Sequence, residues 1–356
     1  MKKYWIPLTI AVFGLTSCGQ SPEDIEKARI AAEQAESAKL EAEIGDMARG
    51  MFRPLSPTAD NPDNPATKEK IKLGQVLYFD KRLSLDGTQS CNTCHNLATF
   101  GVDNLPTSPG DKGANGDRNS PTSFNAALHT TQFWDGRAKD VEEQAGMPIL
   151  NPVEMAIPSA EFLIKRLKEI DLYRKLFAKA YPNESDPITY KNLEKAIGVF
   201  ERQLLTPSKW DSYLGGQAGA LSLEEKKGLQ TFINVGCTSC HGGELLGGNM
   251  FQKFGVHHDY WEYTKSTKID EGRFTVTGQE ADKYVFKVPS LRNIAKTGPY
   301  FHDGSVAELP EAVRIIAKVN LNKDLTDDEV NSIITFLNAL TGELPVELSQ
   351  EPLELL

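Results

Sequence analysis

The chain has 356 residues, with 49 acidic against 39 basic side chains and a formal net charge of −10. Its length past the N-terminal segments suffices for two domains, and 40% hydrophobic residues are enough to build cores. The acidic balance is the wrong sign for a nucleic-acid partner, and after the first twenty residues no stretch is long and apolar enough to cross a bilayer.

The N terminus reads MKKYWIPLTIAVFGLTSCGQ. Lys2 and Lys3 make a positive region and Ile6 to Leu15 a short apolar one, the form of a secretion signal and too short for a span. Leu15-Thr16-Ser17-Cys18 resembles the lipobox of bacterial lipoproteins, which implies removal of residues 1–17 and acylation of Cys18. The expected location is the periplasmic side of the cell envelope, with a lipid anchor. Gly19, in place of Asp, favours the outer membrane. Residues 18–66 read as a stalk and linker. Ser21 to Ala48 is rich in Ala, Glu and Lys with a thin apolar stripe (Ile25, Ala28, Ala32, Ala35, Leu40), suiting a helical stalk or a disordered tether. Pro54, Pro57, Pro62 and Pro65 then break the chain.

Two Cys-x-x-Cys-His motifs follow, Cys91-Asn92-Thr93-Cys94-His95 and Cys237-Thr238-Ser239-Cys240-His241. This is the attachment signature of c-type haem: two thiols add to the porphyrin vinyl groups, and the adjacent His becomes the proximal iron ligand. A redox dithiol needs no following His, and a zinc site would need both pairs to converge across 146 residues. Four of the five cysteines are consumed and Cys18 has its own explanation, so no structural disulfide is expected. The expected cofactors are two covalent haem c groups, with iron ligands His95 and His241.

The body repeats. At a constant offset of 168, Asn125 and Asn293, Ala127 and Ala295, Phe133 and Phe301, Asp135 and Asp303, and Gly136 and Gly304 coincide, each copy following a haem motif. Phe162, Leu167, Ile170, Tyr173 and Phe177 recur at helical spacing, as do Leu193, Ile197, Phe200 and Leu204. Ser222-x-x-Glu225 and Thr326-x-x-Glu329 read as capping boxes, and Gly342 as the close of the last helix. The expected fold class is mainly α, as two tandem cytochrome c-like haem domains with long loops, over 67–205 and 206–345, with 346–356 as a tail.

From about Leu73 to Pro345 the chain resembles the bacterial di-haem cytochrome c peroxidases. The resemblance is carried by both haem motifs and by Leu77-Tyr78-Phe79-Asp80, Thr107-Ser108, Arg118-Asn119-Ser120-Pro121, Phe133-Trp134-Asp135-Gly136-Arg137, Asn151-Pro152-Val153-Glu154-Met155, Gly272-Arg273-Phe274 and Pro299-Tyr300-Phe301-His302. It implies an enzyme that reduces hydrogen peroxide to water. Electrons from a small cytochrome c or cupredoxin would enter at the second, electron-transfer haem and pass to the first, peroxidatic one. The acidic charge suits a basic donor. The resemblance makes Glu154 the acid–base group, with Gln144 beside it, and Trp134 a relay between the haems. The repeat places His302 at the position equivalent to Trp134 in the second copy. The family's calcium site falls on Asn119 with the carbonyls of Thr297 and Pro299. The sequence leaves monomer and homodimer open.

Two positions depart from the family pattern. Many members hold the resting first haem with a His where this chain has Asp111, and the second haem with a Met where it has Ile316. Substitutes for the second-haem ligand are Met250, His257, His258, His302, Tyr300 or water, and His129 is a distant candidate lock for the first. Two other functions stay open: a di-haem oxidase acting on a partner protein, and a non-enzymatic electron-transfer or peroxide-sensing lipoprotein. Glu154 and Gln144 argue against the non-enzymatic reading.

Overall fold

Ser21 starts the first helix. Its hydroxyl accepts from the Asp24 N–H while the Asp24 carboxylate accepts from Ser21, a capping box ahead of α1 (Pro22–Met51). The structure, a computed structural model, describes residues 21–356, so the signal peptide and Cys18 lie outside the described residues. The first turns of α1 are exposed on all sides. From Leu40 onward the helix differs from the expected stalk. Leu40, Ile44 and Ala48, spaced four apart, pack with Phe52 into the core of the second half. Phe52 meets Trp210 edge-on at 5.3 Å, and the buried Lys226 reaches Ser37 Oγ at 3.0 Å. Of the thin stripe read in the sequence only Leu40 joins this contact; Ile25, Ala28, Ala32 and Ala35 lie on the exposed turns.

The first half carries α2 (Lys68–Phe79), α3 (Cys91–Cys94), α4 (Val141–Leu150), α5 (Ala160–Lys168), α6 (Asp171–Ala180) and α7 (Tyr190–Glu201). The second carries α8 (Lys209–Leu214), α9 (Leu223–Val235), β1 (Phe251–Lys253), α10 (Tyr260–Thr264), α11 (Phe274–Thr277), β2 (Val285–Lys287), α12 (Leu309–Leu321) and α13 (Asp327–Asn338). β1 and β2 form an antiparallel ribbon with Phe251 opposite Lys287, the one sheet among the described residues. The fold is mainly helical, as expected.

Each half is built on one close helix crossing. In the first, α2 crosses α7 at Gly74, where a Cβ would lie 2.0 Å from the Ala196 carbonyl oxygen. In the second, α9 crosses α13 at Gly228, where a Cβ would lie 2.2 Å from the Ser332 carbonyl oxygen. Both glycines precede a haem motif, and both permit backbone contact that no side chain could. Leu73, Leu77, Phe200 and Ile197 fill the first core; Leu229, Phe232, Phe336 and Trp210 fill the second.

The repeat has the same backbone course in both copies. Asn125 and Asn293 have φ of 61° and 62°, and Phe133 and Phe301 have φ of 66° and 69°. Two details differ from expectation. The run from Phe162 to Phe177 is two helices, because Ile170 is extended and caps α6. The last helix ends at Asn338, with Ala339 as its cap; Gly342 instead permits a close approach, since a Cβ there would lie 2.1 Å from the Thr206 carbonyl oxygen. Both expected capping boxes are present. The residues read as a tail cross back to the first half. Gln75 Nε2 donates to the carbonyls of Glu347, Leu348 and Gln350, and Lys72 pairs with Glu354 at 2.7 Å.

Candidate active site

The turn of α3 sets Cys91 and Cys94 beside each other, with His95 at its C-terminal cap. Tyr78 Oη donates to the His95 carbonyl at 2.8 Å and fixes the backbone. His95 Nδ1 lies 2.8 Å from the Pro121 carbonyl oxygen, so Nδ1 carries the proton and Nε2 keeps its lone pair. The second motif repeats the arrangement: His241 Nδ1 lies 2.7 Å from the Leu246 carbonyl oxygen. Burial lowers the pKa of both imidazoles and keeps them neutral, as an iron ligand must be. Burial also pushes the Cys91 and Cys237 thiols up and Cys94 up to about 11, which disfavours the thiolates a redox or zinc site would use. The donor set at each motif fits covalent haem with one imidazole ligand.

Cys91, Cys94 and His95 line a cavity of about 1310 Å³. That exceeds the roughly 300–1,000 Å³ of ordinary ligand pockets. Glu154 and Gln144 line the same cavity, so the structure brings together residues that lie up to 63 positions apart in the sequence. Gln144 comes from α4; Glu154 comes from the turn behind it, where its N–H donates to the Asn151 carbonyl at 3.0 Å. Burial raises the Glu154 pKa, against Arg137 and a hydrogen bond from Asn151, which lower it.

Trp134 stands at the seam between the halves and does not line that cavity. Its Nε1 donates to the Asn119 carbonyl at 2.9 Å, its own carbonyl accepts from the Lys287 N–H at 2.7 Å, and its ring packs into the aromatic cluster of the second half. His302 is 2% exposed, stacks on Phe286 at 4.3 Å and meets Trp134 edge-on at 6.5 Å. Asn119 donates through Nδ2 to the Leu105 and Pro106 carbonyls, which leaves Oδ1 as an acceptor. The loop carrying Thr297 and Pro299 is tied nearby, where Asn104 Nδ2 donates to the Gly298 carbonyl at 2.9 Å.

Asp111 is buried and fully engaged. Its carboxylate accepts from the Asp86 N–H at 2.6 Å and from the Thr88 hydroxyl at 2.6 Å, and its N–H donates to the Glu154 carbonyl at 2.7 Å. It clips the loop over the first haem motif to two neighbouring segments. Burial opposes its charge, but the hydrogen bonds from Thr88 and Asp86 outweigh it and hold the pKa below the ordinary value. Ile316 packs against the aromatic cluster of the second half. Of its candidate substitutes, His257 is exposed, His258 Nε2 is bound to Asn322 Oδ1 at 2.9 Å, and Tyr300 Oη donates to the Ile294 carbonyl at 3.1 Å. Met250 is half-buried, and the His129 ring contacts Lys287.

Sequence reasoning missed Glu201. This carboxyl, 7% exposed on α7, also lines the cavity, and burial together with Glu142 pushes its pKa up to about 8 against the pull of Arg202. A Glu at the end of an apolar helical run was the available signal.

A family model for di-haem cytochrome c peroxidases matches residues 68–219. The chain is 43% identical over 304 residues to the cytochrome c551 peroxidase of Pseudomonas aeruginosa, covering 85% of this chain and 87% of that one. The chain belongs to the di-haem cytochrome c peroxidase family. The cytochrome c551 peroxidase of Nitrosomonas europaea is 45% identical, with 79% and 82% of the two chains covered. Among solved structures, a MauG-like protein associated with microbial copper homeostasis superposes with a TM-score of 0.72 at 31% identity, covering 84% and 95%. As a di-haem peroxidase family member the chain is an oxidoreductase carrying two haem c groups.

Proposed function

We propose that this protein reduces hydrogen peroxide to water at the haem on Cys91 and Cys94, with electrons from a small cytochrome c or cupredoxin entering at the haem on Cys237 and Cys240. The observation that carries the reading is the convergence of Glu154 and Gln144 on the cavity that holds the first haem motif. When bound to Cys91, Cys94 and His95, the haem would supply a redox-active iron able to pass electrons to peroxide. The protein moves the protons. Glu154, ionised, takes the proton from the near oxygen and returns it to the far oxygen, which departs as water. Gln144 donates a hydrogen bond that orients the peroxide. Two electrons and two protons convert one peroxide to two waters. Trp134, in contact with both halves, is the relay between the haems.

A calcium ion on Asn119 Oδ1 and the carbonyls of Thr297 and Pro299 would brace the seam. Oxygen donors suit a hard cation, and the free Oδ1 supports the assignment. Acylated Cys18 would hold the protein to the envelope membrane on the periplasmic side. The exposed first turns of α1 would space the body from that membrane. Steady-state peroxide consumption with a pre-reduced small cytochrome c tests the function. Oxidation of a partner protein's side chains with no donor turnover would favour the oxidase reading instead, which the isoleucine at 316 in place of methionine keeps in view.

A further inference from the structure

Lys287 ends β2 and is 7% exposed. Its Nζ lies 3.0 Å from His129 Nδ1 and 2.8 Å from the Thr131 carbonyl oxygen, both neutral partners. Asp135, the acidic group that acts on it through space, is committed to Arg118 and Arg137. A buried ammonium without a counter-charge is costly, and burial pushes this one down to about 7. An ammonium has no acceptor, so the contact makes His129 Nδ1 the acceptor and puts the imidazole proton on Nε2. That Nε2 is buried and has no hydrogen-bond partner among the described residues. Two nitrogen donors therefore sit together in the interior, one charged and one unanswered.

Their place in the fold says what answers them. Lys287 N–H donates to the Trp134 carbonyl, which sets the pair at the seam between the halves. The His129 ring lies against Gly248, where a Cβ would come within 3.1 Å of its Cδ2. Gly248 is two residues beyond Leu246, whose carbonyl holds His241. The pair is thus built onto the loop that orients the second proximal ligand. We propose that Lys287 and His129 form a carboxylate site that receives a propionate of the haem on Cys237 and Cys240. The ammonium supplies the counter-charge and the Nε2–H a neutral hydrogen bond. The proposal rests on the second haem and not on peroxidase turnover. Hydrogen bonds and charge around a haem set its potential. Removing this cation leaves an uncompensated carboxylate that favours ferric iron.

Spectroelectrochemical titration of the holoprotein tests this in wild type, Lys287→Gln and His129→Asn. The second-haem midpoint should fall in K287Q by on the order of tenfold in the reduction equilibrium, equivalent to about 59 mV for one electron. It should also become pH-dependent as the carboxylate begins to take up a proton. H129N should shift it in the same direction by less, and it decides alone if K287Q fails to take up haem. The first-haem midpoint should stay in place. No shift in either variant, or a shift confined to the first haem, overturns the proposal. So does a wild-type midpoint that responds to exchanging chloride for phosphate at constant ionic strength, because the site would then hold a solution anion. Peroxide turnover measured in parallel reports on the enzyme reading separately.

Discussion

Asn125 and Asn293 donate their side-chain amides to one acceptor, the hydroxyl oxygen of Thr206, at 2.8 and 2.9 Å. The Asn125 Oδ1 accepts from the Thr206 N–H, and the Asn293 Oδ1 accepts from the Gly342 N–H. Equivalent residues of the repeat thus meet across the seam at a single buried residue. Thr206→Val removes the acceptor and leaves two buried donors unpaired. The expected loss of unfolding free energy is on the order of 2–6 kcal/mol, at about 1–3 kcal/mol for each stranded group. Denaturant unfolding at unchanged haem content measures it. A loss under about 0.5 kcal/mol, the range of an ordinary surface change, would show that the seam does not depend on Thr206.

Glu154→Gln keeps the shape of the side chain and removes its basicity. Peroxide turnover should fall by about 10²–10⁴-fold, the usual contribution of a positioned acid–base group, while both haems stay attached. In wild type the group must be ionised to take the first proton. Turnover should therefore rise with pH through a pKa raised from the ordinary glutamate value, because burial raises it, and the variant should lose that limb. A near-normal kcat in the variant removes Glu154 from the mechanism.

Glu201 predicts a stability effect of definite sign. Its folded pKa is about 8, pushed up by burial and by Glu142, while an unfolded Glu titrates near ~4.3. Between those values the folded state holds a proton that the unfolded state has lost, so stability falls as pH rises through that window. The penalty is absent below the unfolded pKa and complete above the folded one. Glu201→Gln should flatten the slope and stabilise the protein at neutral and alkaline pH. Parallel stability-against-pH curves for variant and wild type would reject the assignment.

Much of the site was legible because motif residues sit close in sequence to what they serve. Cys91, Cys94 and His95 share one turn, and the capping boxes at Ser222 and Thr326 are local by construction. What could not be read is long-range. The stripe read in the helix reached only to Leu40, and nothing in the chain says that Leu40, Ile44 and Ala48 pack into the core of Trp210 and Phe336. Lys287 and His129 lie 158 residues apart and neither falls in a chemical motif. Gly342 looked like a helix stop because glycine after a periodic run usually is one; here the seam needed backbone contact more.

Cys18→Ser tests the anchor. If Cys18 is acylated, the variant should move from the membrane fraction to the soluble fraction with its haem content unchanged. A wild-type protein already fully soluble after export would refute the lipoprotein reading.

Asp111 carries the last prediction. The expected lock of the first haem is a His at this position, and the structure shows what the Asp does instead. It accepts hydrogen bonds from Asp86 and Thr88 and donates one to the Glu154 carbonyl, so the loop is clipped beside Glu154. A carboxylate held this way is ionised at neutral pH, and its stabilisation is lost only on acidification through its depressed folded pKa. The chain also lacks the thioether at Ile316 that would give the second haem a high potential. The two losses agree with each other: with no imidazole to expel from the first iron, no stored electron is needed to expel it. The fully oxidised protein should therefore bind cyanide or peroxide at the His95 haem rapidly, without prior reduction. Stopped-flow mixing of the oxidised protein with cyanide measures this directly. Binding that begins only after one electron has been added per molecule would mean that another side chain closes the iron, His129 or His302 among them, and that the clip at Asp111 does not keep the site open.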